Sequence, residues 1–140
     1  MLPNLDYERR LQALERFMRE IHGDRGATEV STWTPTWTGL TVVGVPTYAG
    51  RYTHIGSLVF WKVTITAGGA NTTASTLNTT YIDNPPITIA YNNPSLFVFD
   101  PTLGAALGQG ICYVSGSGRL YTPTWTARNS SIEISGWYEI

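Results

Sequence analysis

The stretch Tyr48-Ala-Gly-Arg-Tyr-Thr-His-Ile-Gly-Ser-Leu-Val-Phe-Trp-Lys-Val-Thr-Ile-Thr66 decides the fold, because it reads as one long hairpin with the densest apolar content of the chain. Gly56-Ser57 stands between Ile55 and Leu58. Gly at the first central position of a two-residue loop is what a type II′ turn requires, since φ is positive there. In the second arm, Val59, Trp61, Val63 and Ile65 share one face, and Leu58, Phe60, Lys62 and Thr64 share the other. One wholly apolar face and one mixed face predict a strand lying over a core.

Working outward, 140 residues suit one body with a real core. The net charge of −1 gives no general attraction to nucleic acid or anionic lipid. Its distribution is uneven: residues 1–29 hold eleven of the charged side chains, and the following 111 residues hold eight. The expected organisation is therefore an N-terminal segment, 1–30, carrying an oligomerisation or anchoring helix and a linker, followed by a β-sandwich domain, 31–140. A body so poor in charge presents a Thr, Ser and Asn surface or covers part of itself with partners. The single cysteine, Cys112, cannot form an intramolecular disulfide and reads as a small buried strand residue. No apolar run reaches the roughly 20 residues of a membrane helix. The charged N-terminus lacks the order of a signal peptide, so assembly in a cytoplasm is expected, with the sequons at Asn71, Asn78 and Asn129 arising by composition.

After Pro3-Asn4, Tyr7, Leu11, Leu14, Met18 and Ile21 recur at spacings of four and three, a heptad seam. Asn4 is the expected N-cap, with Gly23 closing a helix of about 18 residues and Gly26 loosening the linker beyond it. Leu11 and Met18 take a positions and Tyr7, Leu14 and Ile21 take d positions. Arg10 at g and Glu15 at the next e would pair between parallel neighbours. A helix of this length is marginal alone and needs a partner. Copies of itself would form a short coiled-coil stem; packing on its own domain is the alternative, which Leu5 and Phe17 favour by widening the stripe. Glu8, Glu15 and Glu20 interleave with Arg9, Arg10, Arg16 and Arg19, which argues against a one-signed face for phosphate.

From Ser31 the period changes to two. Pro35 confines Thr32–Thr38 to an edge, and Thr-Pro-Thr-Trp-Thr recurs at 122–126, which suggests two similar edge segments. Residues 67–78 read as an exposed low-complexity loop. Short strands are expected at 79–82, 87–91, 95–99, 108–114, 119–125 and 131–138, with prolines punctuating the turns. The fold class is mainly β, an antiparallel jelly-roll-like β-sandwich with a single N-terminal α-helix.

Chemistry finds few candidates. His22 and His54 lack metal-ligand spacing, and Asp83 and Asp100 stand in proline turns where a carboxylate caps backbone. Glu133 between Ile132 and Ile134 reads as an outward strand residue. No nucleophile elbow or phosphate loop is visible, so the expectation is a non-enzymatic protein with no metal and no cofactor. Among aromatics, Trp33, Trp37 and Trp125 are candidates for a ligand or subunit interface; packing in the core is the competing explanation.

Trp33 to Thr41 (Trp-Thr-Pro-Thr-Trp-Thr-Gly-Leu-Thr), Tyr48 to Trp61 and the closing Ile134 to Tyr138 (Ile-Ser-Gly-Trp-Tyr) together resemble β-sandwich modules of tailed-bacteriophage virion proteins. Such modules occur in head decoration proteins, head fibres and tail-fibre tips, usually as trimers. The resemblance covers most of 33–140 and implies a fold and a setting, with no active site. A short chain beginning at Met1 is expected to be a stand-alone virion component: a homotrimeric capsid decoration, cement or head-fibre protein. Its N-terminal region would trimerise or grip the major capsid protein or another virion protein, without nucleic acid and without membrane insertion. The alternative is a receptor-binding tail-fibre or baseplate component that recognises a host-surface glycan. A non-viral carbohydrate-binding module is a third possibility, which the missing export signal disfavours.

Overall fold

A computed structural model describes residues 2–22, 29–116 and 118–140. The side chains of Met18 and Ile21, and the glycines Gly23 and Gly26, lie outside the described residues. The helix α1 spans Leu2–His22. It starts earlier than Asn4, so Asn4 is a helical residue and not the N-cap; Pro3 is tolerated because the first helical turn leaves its amides unbonded in any case.

Among the described residues twelve strands follow: β1 (Ser31–Trp33), β2 (Trp37–Thr38), β3 (Thr41–Val43), β4 (Thr47–Ile55), β5 (Leu58–Thr66), β6 (Thr72–Ser75), β7 (Tyr81–Ile82), β8 (Asn93–Asp100), β9 (Ala105–Tyr113), β10 (Arg119–Tyr121), β11 (Trp125–Arg128) and β12 (Ile132–Glu139). The chain is mainly β and antiparallel. Nine strands form a sheet in the order β1-β4-β5-β12-β8-β9-β10-β7-β2, and β11-β6-β3 form a smaller one. β1 and β2 are the two edges of the large sheet, yet only Thr34, Pro35 and Thr36 separate them. Four Cα steps span at most about 14 Å, or three strand widths. The sheet must therefore curl into a half-barrel.

The hairpin forms as its sequence requires. β4 pairs with β5 from Thr47↔Thr66 to Ile55↔Leu58, and Gly56 turns the chain at φ 59 with no positive φ at Ser57, the type II′ signature. Val59, Trp61, Val63 and Ile65 are buried on the concave side. β12 contributes Ile132, Ile134 and Tyr138, β8 contributes Leu96 and Val98, and Cys112, Leu120 and Ile82 extend the same layer. Burying each such aliphatic side chain is worth roughly 1.5–3 kcal/mol. Burial also pushes the Cys112 thiol up to about 11, so it is an inert core residue. Tyr138 satisfies its buried hydroxyl by donating to the Ile87 carbonyl at 2.7 Å and accepting from the Ile87 amide at 3.1 Å.

Three segments depart from the sequence expectations. Residues 67–78 contain β6, with Thr73 and Ser75 buried rather than looped out. Their hydroxyls have internal partners: Ser75 Oγ lies 2.8 Å from Thr122 Oγ1, and Trp125 Nε1 donates to Thr73 Oγ1 at 3.4 Å. Residues 87–91 form no strand. Pro85 and Pro86 remove donors just before them, and the segment is held by Ile89 in the core, by the Tyr138 hydroxyl on the Ile87 backbone, and by a bond from the Ala90 amide to the Glu139 carbonyl at 2.9 Å. The expected strand 119–125 splits at Pro123 into β10 in the large sheet and β11 in the small one.

Candidate interaction surfaces

Strand alternation and cross-strand register sort the candidate residues onto particular faces. Trp125 is only 4% exposed and sits in the core. Trp33 meets Tyr52 edge-on at 5.9 Å and Trp61 at 6.5 Å, and it lies over Gly50, where a Cβ would come within 2.5 Å of its ring. That contact explains the glycine. Trp37, on the opposite edge strand β2, packs at 6.2 Å from Tyr48 of β4. Both half-buried indoles cover the core, so none of the three tryptophans forms an open platform.

The helix presents the opposite picture. Tyr7, Leu11, Leu14 and Phe17 are all exposed, as is every described side chain from Asp6 to Phe17. Arg10 pairs with Asp6 at 3.4 Å along the same helix, an exposed contact worth a few tenths of a kcal/mol. Glu15 is exposed too. The stripe Tyr7, Leu11 and Leu14 thus has no cover within the described chain.

The convex face of the large sheet is the second exposed apolar surface. Trp137 is opposite Phe60, and Phe97 is opposite Ser135, one pleat along β12. Phe60, Phe97, Phe99 and Trp137 are each about two-fifths to one-half exposed. Phe60, Phe97 and Trp137 line a shared depression. The charges interspersed there are balanced: Lys62 pairs with Glu133 at 3.0 Å, and Arg51 and Glu139 occupy the outer positions of β4 and β12.

Further along that face, β9, β10 and β7 align tyrosines distant in sequence. Tyr121 is opposite Ile111 on one side and Tyr81 on the other, and Tyr113 is opposite Arg119. Tyr121 lies 5.0 Å from Tyr81 and 6.1 Å from Tyr113, ring centre to ring centre. The Arg119 guanidinium sits 4.5 Å above the Tyr81 ring and donates to the Tyr121 hydroxyl at 3.0 Å, which holds its pKa above the ordinary arginine value. Beside this cluster Leu77, Asn78, Gln109, Ile111, Tyr113 and Tyr121 line a cleft of about 430 Å³. Sequence reasoning passed over these residues. The available signal was Ile111 and Tyr113 alternating with buried Cys112, and Arg119 and Tyr121 alternating with buried Leu120.

Two aspartates fix the turns that frame these surfaces. Asp83 accepts from Thr38 Oγ1 at 2.8 Å and from Thr36 Oγ1, while Asn84 bonds the Thr34 carbonyl and the Thr36 amide. Asp100 is fully buried; its carboxylate caps the Thr102 and Leu103 amides, accepts from Ser130 at 2.5 Å and pairs with Arg128 at 2.7 Å. The Ser130 hydroxyl, the two amides and Arg128 hold its pKa below the usual carboxylate range against the cost of burial. Both are structural carboxylates, and among the described residues no His, Cys, Asp and Glu cluster could hold a metal. No described helix is long and apolar enough to cross a membrane.

The fold and surfaces define a mainly β, antiparallel protein with one N-terminal helix and exposed apolar surfaces. No protein-family model, curated protein or solved structure matches the chain.

Proposed function

We propose that this chain is a non-enzymatic structural protein of a tailed-bacteriophage virion: a trimeric capsid decoration, cement or head-fibre protein with a jelly-roll-like body, attached through its N-terminal region. The observation that carries this reading is the uncovered heptad stripe Tyr7, Leu11 and Leu14 on a helix with no packing surface in the described chain, since helices draw most of their stability from packing such a face. Three copies would bury that stripe in a coiled-coil stem. The convex sheet face adds support. Its four exposed aromatics present on the order of 350 Å² per chain, the size of the largest apolar patch on a typical monomer, and such patches are often functional. The balanced charges on that face suit a copy of the same surface.

The reading is tested by purifying virions and counting copies of the chain per particle alongside gold labelling. Hundreds of copies around the head are expected; a handful at the tail would overturn the decoration role. The tyrosine-lined cleft favours a second reading, in which a tail-fibre or baseplate component recognises a host-surface glycan.

A further inference from the structure

The cleft beside Tyr113 and Tyr121 has a chemistry of its own. Its walls are aromatic and aliphatic, from Tyr113, Tyr121, Ile111 and Leu77, and its polar groups are the side-chain amides of Gln109 and Asn78 with the tyrosine hydroxyls. Among the described residues no ionised side chain lines it; Arg119, on β10 beside it, is engaged by the Tyr81 ring and the Tyr121 hydroxyl. Its volume of about 430 Å³ lies within the range of small-ligand sites. Gly110 lets the strands beneath the cleft approach closely, since a Cβ there would lie 1.9 Å from the Tyr121 carbonyl oxygen and 3.0 Å from the buried Leu96 side chain. Asn78, at the rim, has φ 64 and is the one non-glycine residue with positive φ among the described residues. Such backbone outliers collect at ligand sites, although asparagine tolerates this one at modest cost.

We propose that this cleft binds a neutral hexose unit of a carbohydrate. A pyranose has an apolar C–H face that stacks on a tyrosine ring and an edge of hydroxyls that each donate and accept. A side-chain amide also does both, so Gln109 and Asn78 match adjacent hydroxyls. A purely apolar ligand would leave those amides unpaired, and an anionic sugar would have only Arg119, outside the lining and already held by Tyr81 and Tyr121, to meet its carboxylate. The assignment rests on the glycan-recognition reading for its biological setting, and it names the subsite that reading lacked.

The full chain is applied to an array of neutral galactose and glucose oligosaccharides with sialylated counterparts, and the best neutral oligosaccharide is titrated by calorimetry. Retention of neutral glycans is expected. Tyr113→Ala and Gln109→Ala each weaken binding at least tenfold while circular dichroism stays unchanged, and Arg51→Ala, on the distant strand β4, leaves affinity unaltered. Both tested side chains are exposed, so the variants fold. Binding that survives Tyr113→Ala unchanged, or that requires the sialic acid, overturns this site but leaves glycan recognition standing. Failure to retain any glycan overturns both.

Discussion

The pentapeptide Thr-Pro-Thr-Trp-Thr occurs twice, at 34–38 and 122–126, and the two copies are used differently. Both enter an edge strand, β2 in the large sheet and β11 in the small one, as a proline within the segment requires. The first crosses from one edge of the large sheet to the other and leaves Trp37 half-buried, its indole N–H without an acceptor among the described residues. The second crosses between sheets and buries Trp125 with its N–H on Thr73. Each is held by an aspartate. Asp83 grips the first through two threonine hydroxyls, and buried Asp100 grips the strand of the second through Arg128. Identical local sequence therefore sets strand edge and direction, while what lies opposite decides how much energy the tryptophan contributes.

The largest expected effect is at Trp125. Trp125→Ala opens a cavity between the sheets and costs about 3–5 kcal/mol, read from urea unfolding with an unchanged m-value. Acid is the next test. The lowered pKa of Asp100 contributes stability that is fully present above its unfolded value of 3.8 and disappears as pH falls through the lower folded value. The urea midpoint should accordingly drop below about pH 4, and Asp100→Asn should remove that part of the acid limb. Trp37→Ala should cost less than Trp125→Ala, because part of its surface is already in water. If the two tryptophan variants are equally destabilised, the copies are equivalent and the contrast between them is lost. Smallest is Asp83→Ala, about 1 kcal/mol for exposed hydroxyl contacts, measured by the same unfolding curves.

The hairpin was legible because Gly56 and strict alternation from Leu58 to Thr66 are local signals, and the outward Glu133 and inward Cys112 agree with the same period. The burial of Thr73 and Ser75 was not legible, since a hydroxyl enters a core only when another strand supplies its partner. Here those partners, Thr122 and Trp125, lie about fifty residues away. The cleft was hidden for a related reason: Leu77, Asn78, Gln109, Tyr113 and Tyr121 become neighbours only through the β9–β10–β7 register. The helix stripe was legible as a pattern. Its exposure in the single chain is what directs attention to other copies.

Self-association through that stripe underlies the proposed role, and sedimentation equilibrium of the full chain measures it without any virion. The expected mass is three times the chain's 15.4 kDa, falling to one chain in Leu11→Asp/Leu14→Asp while the β body unfolds at the same urea concentration. A wild-type protein that sediments as a single chain across the accessible concentration range would contradict it.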